Sequence, residues 1–154
     1  MDSKIAITRA GFIDFMGRAL ETQGMPPISG RILGLLIFDG TARSFSDLAT
    51  ELGVSRGSIS ANSRSLVARG MLEKVNHPGD RQDYFRVSEQ SNAAILTGIG
   101  ARLRRASQDV SGFAGALAGA GAEGPRRRLQ NTADMYTAMA DGLDHAADRL
   151  AERG

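Results

Sequence analysis

The chain has 154 residues, 42% of them apolar, with a formal net charge of +2, no cysteine and no tryptophan. Its length suits one domain with helical additions, and the missing thiols exclude disulfides, thiolate catalysis and cysteine-held metal. The longest apolar run, Ile32 to Phe38, is broken by Gly34 and is far too short to span a bilayer, and no basic, apolar leader precedes Ile5, so a cytoplasmic protein with no membrane role is expected.

Ile5, Thr8, Phe12, Phe15, Ala19 and Leu20 form an apolar stripe at helical spacing that ends near Gly24. Pro26-Pro27 then starts a second helix through Ile28, Ile32, Leu35 and Leu36 to Phe38, closed by Asp39-Gly40. The second helix is expected to back a three-helix core. The first is longer than that core requires, so its spare apolar side needs a further partner.

Residues 44 to 86 read as one device. Ser44 caps a short helix with Asp47 at the third position, and Leu48, Ala49 and Leu52 follow before Gly53 stops it. Val54 fills the corner, and Ser55 caps a second helix whose core side is Ile59, Ser63, Leu66 and Val67, ended by Gly70. Met71 to Asn76 and Tyr84 to Val87 read as strands joined by a loop of turn formers with Arg81 at its tip. This order predicts a winged helix-turn-helix, in a fold that is mainly α with a small β-wing.

Opposite Ile59 and Leu66, the second helix carries Gly57, Ser58, Ser60, Ala61, Arg64 and Ser65, with Arg56 in its first turn. Small hydroxyl side chains let a helix approach a major groove and donate to phosphate or base edges, while Arg can fork onto guanine. Gly57 removes a side chain where the backbone would come nearest to a duplex. These residues are the candidate DNA-binding set, together with Arg81 for a minor groove and Arg86 for the flanking backbone. Charge agrees with that placement. Residues 55–86 hold six basic groups against three acidic, residues 1–54 five against six, and residues 87–154 eight of each.

After Ser88, Leu96, Ile99, Leu103, Ala106, Val110, Phe113 and Leu117 recur at steps of three and four, as do Leu129, Ala133, Tyr136, Ala140, Leu143, Ala147 and Leu150. The run Ala120-Gly121-Ala122-Glu123-Gly124-Pro125 breaks the helix between them, so an antiparallel pair is expected. The seams exceed what one hairpin needs. The expected organisation is therefore an N-terminal dimerisation helix (1–24), a DNA-binding domain (25–88) and a C-terminal dimerisation hairpin (89–154), with two recognition helices about 34 Å apart in a homodimer.

The runs GMPPISGRILGLLIFDG and LATELGVSRGSISANSRSLVARGMLEKVNHPGDRQDYFRV resemble the GbsR branch of the MarR-type winged-helix regulators. The resemblance is densest from Gly24 to Val87, in the Pro-Pro-Ile-Ser-Gly-Arg helix start, the Val-Ser-Arg-Gly-Ser-Ile-Ser turn and the Pro-Gly-Asp-Arg wing. It implies a homodimeric transcriptional regulator, commonly a repressor, acting on nearby transport or osmoprotectant genes. It also implies that Arg56 to Arg69 form the DNA-reading helix and that Arg81 is the wing arginine.

Some members of that branch sense choline-like compounds, which need an aromatic cage. Phe12, Phe15, Phe38, Tyr84, Phe113 and Tyr136 sit where core packing or the wing already explains them, so no effector is assigned; a regulator without one, and one that senses a small molecule of unknown identity between the helices, are equally open. No cofactor, metal site or catalytic residue is expected. His77 and His145 lack partners at triad or metal spacing, and Arg126-Arg127-Arg128 reads as a solvated cluster. The competing expectation is a winged helix used for protein contact or assembly without DNA binding, which would expose an apolar patch in place of the basic face.

Overall fold

Side-chain caps and left-handed glycines set most element boundaries in the structure, a computed structural model that describes residues 2–153. The chain divides into two units, Met1–Ser91 and Asn92–Gly154.

The first unit runs α1 (Ser3–Glu21), α2 (Pro27–Asp39), β1 (Arg43–Ser44), α3 (Phe45–Leu52), α4 (Arg56–Ala68), β2 (Leu72–Val75) and β3 (Tyr84–Val87). Asp2 caps α1 by accepting the Lys4 amide, Ser44 caps α3 through the Asp47 amide, and Ser55 caps α4 through the Ser58 amide. Gly53 ends α3 in the left-handed region, and the Val54 amide closes the turn on the Ala49 carbonyl at 3.1 Å. The three strands form an antiparallel sheet in the order β1-β3-β2, with Arg43 opposite Phe85 and Lys74 opposite Phe85 on its other edge. The mainly helical fold with a small wing is as the sequence predicts. The two-residue β1 is an addition that no periodicity announces.

The core of this unit is Leu20, Ile32, Leu33, Leu35, Leu36, Leu48, Ile59, Leu66 and Met71, all essentially inaccessible. Helix α1 buries Ile13, Gly17 and Leu20, so the expected stripe is corrected. Phe15, placed inside by the sequence pattern, is 55% exposed, because it lies two residues from Ile13 and therefore about 200° around the helix. Close approach explains which face won. A Cβ on Gly30 of α2 would lie 2.1 Å from the Met16 carbonyl oxygen and 2.7 Å from Gly17 Cα, so the two backbones touch at that crossing. Val67 is a second correction. It is 37% exposed, since one step beyond Leu66 turns it about 100° away from the buried line of Ile59, Ser63 and Leu66.

A charge network ties four elements of this unit together. Asp39 at the end of α2 accepts a two-point contact from Arg9 of α1, at 2.8 Å to each oxygen, and a third bond from Arg43 of β1 at 2.6 Å. Arg9 also reaches Glu51 of α3 at 2.9 Å. The Arg9 guanidinium, more than burial can oppose, holds the Asp39 carboxyl below the usual carboxylate range, and Arg43 adds to it. The Asp39 side chain is only 10% exposed, so these bonds act where solvent screens them poorly.

The second unit pairs α5 (Ser91–Ala116) with α6 (Glu123–Ala151). Ser107 donates to the Ala133 carbonyl at 2.8 Å and bonds Thr137, while Arg104 reaches Asp141 and Asp144, so the helices run antiparallel. The predicted seam is right for Ala133, Ala140 and Ala147, which are buried. On α5 it is displaced: after Ser91 at the helix start the buried positions are Gly100, Ser107 and Ala114, seven residues apart, and Phe113 is 66% exposed. Small residues on both helices bring the backbones close, and the larger side chains flank the contact. Despite Gly98, Gly100, Gly112 and Gly115, α5 is one continuous helix, and the reversal uses Gly119 and Gly121 at positive φ.

Two expectations follow. Gly30→Ala should lower the unfolding free energy by about 1–3 kcal/mol, measured by urea denaturation, because backbone and not a flexible side chain occupies the space a methyl needs. Asp39→Asn should lower stability by about 1–3 kcal/mol at neutral pH. The folded-state pKa of Asp39 lies below its unfolded value, so its contribution is whole above the ordinary carboxylate range and fades as pH falls through the depressed value. Denaturation curves of wild type and variant should therefore converge in acid.

Candidate nucleic-acid interface

Helix α4 is seated by one face and free on the other. Ile59, Ser63 and Leu66 are fully buried, and Asn62 accepts a 2.7 Å bond from Ser29 of α2 while donating to the Ser58 carbonyl of its own helix. Ser29 is fully buried, so this bond lies in the joint between the helices and resists rotation of α4 about its axis.

The predicted outer face stands where expected. Arg56, Gly57, Ala61 and Arg64 are exposed, and Ser58, Ser60 and Ser65 are half-buried beside them. Nothing crowds Gly57: a Cβ there would meet only the Ser55 hydroxyl, at 3.9 Å. The Arg64 Nε lies back along the helix, 3.3 Å from the Ser60 carbonyl, and the Arg56 guanidinium donates to the Ser46 hydroxyl of α3 at 2.9 Å. The first-turn arginine is thereby held against the neighbouring helix.

The wing presents its charges unequally. Arg86 is paired with Glu73 across the strands at 2.9 Å, and Lys74 with Asp83 at 3.2 Å. Both pairs are exposed and individually weak. Arg81 is exposed at the loop tip, between residues that are themselves tied down. Asp80 accepts the Gln82 amide at 2.9 Å and the Tyr84 hydroxyl at 2.7 Å, and those two bonds hold its carboxyl below the ordinary range. Tyr84 also stacks on His77, with centroids 3.8 Å apart and planes within 6°.

Ser60 and Arg64 of α4 and Lys74 and Asp83 of the wing line one groove of about 450 Å³ over Phe45 and Phe85. The structure therefore joins the middle of α4 to the base of the wing, with Arg81 beyond it at the tip. Lys74, Ser46 and the His77–Tyr84 stack are features that sequence reasoning missed. Only the alternation of the strand hinted at Lys74. The other two depend on contacts across 10 residues and 7 residues of chain that leave no local pattern. Phe12 and Phe38 meet at 6.5 Å inside the first unit, a packing contact of the kind expected for them. Among the described residues no group of His, Asp and Glu could hold a metal ion, and no helix is long and apolar enough to cross a membrane.

A helix-turn-helix with a three-stranded wing and a hydroxyl- and arginine-bearing outer helix defines a DNA-binding transcriptional regulator. The MarR family model matches residues 23–83, from the turn before α2 to the end of the wing loop. The chain is 32% identical over 145 residues to the HTH-type transcriptional regulator MmpR5 of Mycobacterium tuberculosis, covering 92% of this chain and 86% of that one. It belongs to the MarR family of transcriptional regulators. It is also similar to the HTH-type transcriptional repressor OpcR of Bacillus subtilis, 29% identical over half of this chain and 42% of the relative's length. A solved structure described as a transcriptional regulator superposes with a TM-score of 0.66 at 31% identity, covering 94% of this chain and 99% of its own.

Proposed function

We propose that this regulator is a repressor that reads duplex DNA with α4 in the major groove and Arg81 of the wing in the minor groove. Arg56, Gly57, Ser58, Ser60, Ala61, Arg64 and Ser65 form the groove-facing surface, and Arg86 serves the flanking backbone. The observation that carries this reading is the division of α4 into a fully buried line and an opposite face of small hydroxyls and arginine, with an exposed guanidinium at the wing tip. Arg64 lies in the middle of that face, where a fork onto guanine would set sequence preference. Arg81 contacts backbone and groove width and is indifferent to most base changes. Arg86 must first leave Glu73, an exposed pair that opposes release only weakly.

The functional unit in this reading is a homodimer in the cytoplasm. Residues 25–88 bind DNA, while residues 1–24 and 89–154 associate the two copies. Exposed apolar side chains in each part support it: Ile5, Ile7 and Phe15 on α1, and Phe113, Met135 and Met139 in the second unit. Single-site reading by one short helix also leaves specificity low unless a second copy binds an adjacent half-site. The wing and helix motifs support placement in the GbsR branch. Repression follows the sense of the similar Bacillus repressor's name.

Affinity for a random duplex should be measurable at about 50 mM salt and fall steeply as salt rises, as phosphate contacts require. No binding, or salt-independent binding, overturns the DNA assignment in favour of protein contact. Arg64→Ala should weaken the preferred sequence by about 1–3 kcal/mol and blur selectivity, whereas Arg81→Ala should weaken most sequences alike. Equal small effects would reverse the division of roles. Light scattering at micromolar concentration should return twice the chain mass, and a monomer would remove the dimer.

A further inference from the structure

We propose that Tyr84, acting with Asp80 and His77, is a positioning residue that holds the wing loop in the one shape that presents Arg81; this rests on the assignment of Arg81 to DNA made above. The loop from Asn76 to Asp83 is eight residues long, against the usual two to five of a hairpin, and contains no buried residue. A polar loop of that length is ordinarily mobile, and ordering it on DNA would subtract from affinity.

Here the loop is closed on itself. The Asp80 amide donates to the His77 carbonyl at 3.1 Å, with Gly79 at φ 81° making the turn. One Asp80 carboxylate oxygen takes the Gln82 amide, and the other takes the Tyr84 hydroxyl. The Tyr84 ring lies flat on His77, so the first and last parts of the loop are clasped together. On the other side, the Asp83 carbonyl accepts the Phe45 amide at 2.9 Å and the Gln82 side chain accepts the Ser46 amide at 3.4 Å. Arg81 therefore stands between two anchored neighbours, while its guanidinium takes no part in these bonds.

Asp80 is otherwise a liability, because a carboxylate beside a DNA-probing arginine repels phosphate. Both its oxygens are committed to the loop, so its role is conformational. His77 and Asp80 are exposed and Tyr84 is half-buried, so the clasp adds little to global stability, which separates a positioning role from a folding one.

A double-mutant cycle on the full chain, with a random duplex as probe, tests this. Tyr84→Phe keeps the stack and deletes one hydrogen bond. It should weaken binding about threefold to tenfold when Arg81 is present and less than about twofold in the Arg81→Ala background, with unchanged thermal melting. If Arg81→Ala alone leaves affinity unchanged, the assignment of Arg81 falls and the clasp with it. If Arg81→Ala weakens binding but Tyr84→Phe acts equally in both backgrounds, or in neither, the clasp is overturned and the Arg81 reading stands. A spectroscopic readout adds a second arm. In a Tyr136→Phe background, ultraviolet titration should show Tyr84 ionising above the ordinary tyrosine range, because its hydroxyl donates a hydrogen bond to the Asp80 carboxylate, and Asp80→Asn should bring it down. Ionisation in the ordinary range overturns the clasp.

Discussion

The seating of α4 on α2 decides what this chain presents to its surroundings. A 13-residue helix has only one face to bury, and here Ile59, Ser63 and Leu66 occupy it completely. The Ser29–Asn62 bond then fixes the rotation of the helix about its axis, since a buried hydroxyl that lost its partner would be left unsatisfied. With that angle set, the orientation of Gly57, Ser60, Ala61 and Arg64 follows without further contacts. The small residues on the outer face reduce helix propensity, and packing on α2 rather than propensity keeps α4 formed.

The platform beneath this joint is held by two unlike devices. Between α1 and α2, glycine allows backbone contact at Gly30 and Gly17, a crossing that depends on shape. At the other end of α2, Asp39 gathers Arg9 and Arg43, and Arg9 extends to Glu51, a linkage that depends on charge. The second device reaches α3 and β1, so the helix that leads into the turn and the strand that borders the wing share one anchor. Helix α1 is thereby bonded directly to α3, the element that leads into α4.

Much of this was legible in the sequence because its signals are local. Ser44 and Ser55 before apolar runs, Gly53 between them, and a Gly-Asp-Arg loop between β-rich segments each report on a few neighbouring residues, and each feature appears in place. The departures share a physical cause. Hydrophobicity places Phe15 and Phe113 inside, but burial follows closeness of approach, which favours Gly17 and Gly30 on one helix pair and Gly100, Ser107 and Ala114 on the other. Small residues in a seam look like surface residues in a sequence. Of the candidate interface, the outer face of α4 is readable from helical periodicity and Arg81 from the turn formers around it, while the partners of Arg56, Arg86 and Tyr84 are not, because side-chain bonds between distant elements have no period.

Those bonds redistribute the charge that the sequence only counts. Residues 55–86 carry six basic and three acidic groups. Arg86 and Lys74 are matched by Glu73 and Asp83 along the strands, and Asp80 is occupied within the loop. Arg56, Arg64, Arg69 and Arg81 form no ion pair among the described residues. The net positive charge therefore lies along α4, while the strands are locally neutral and the wing tip sets the Arg81 guanidinium beside the ionised Asp80. A duplex meeting this surface would be drawn to the arginines of α4 and would meet the Arg81 guanidinium, which takes no part in the Asp80 bonds, at a second place. Such an arrangement fixes orientation as well as strength, because only one approach satisfies both at once.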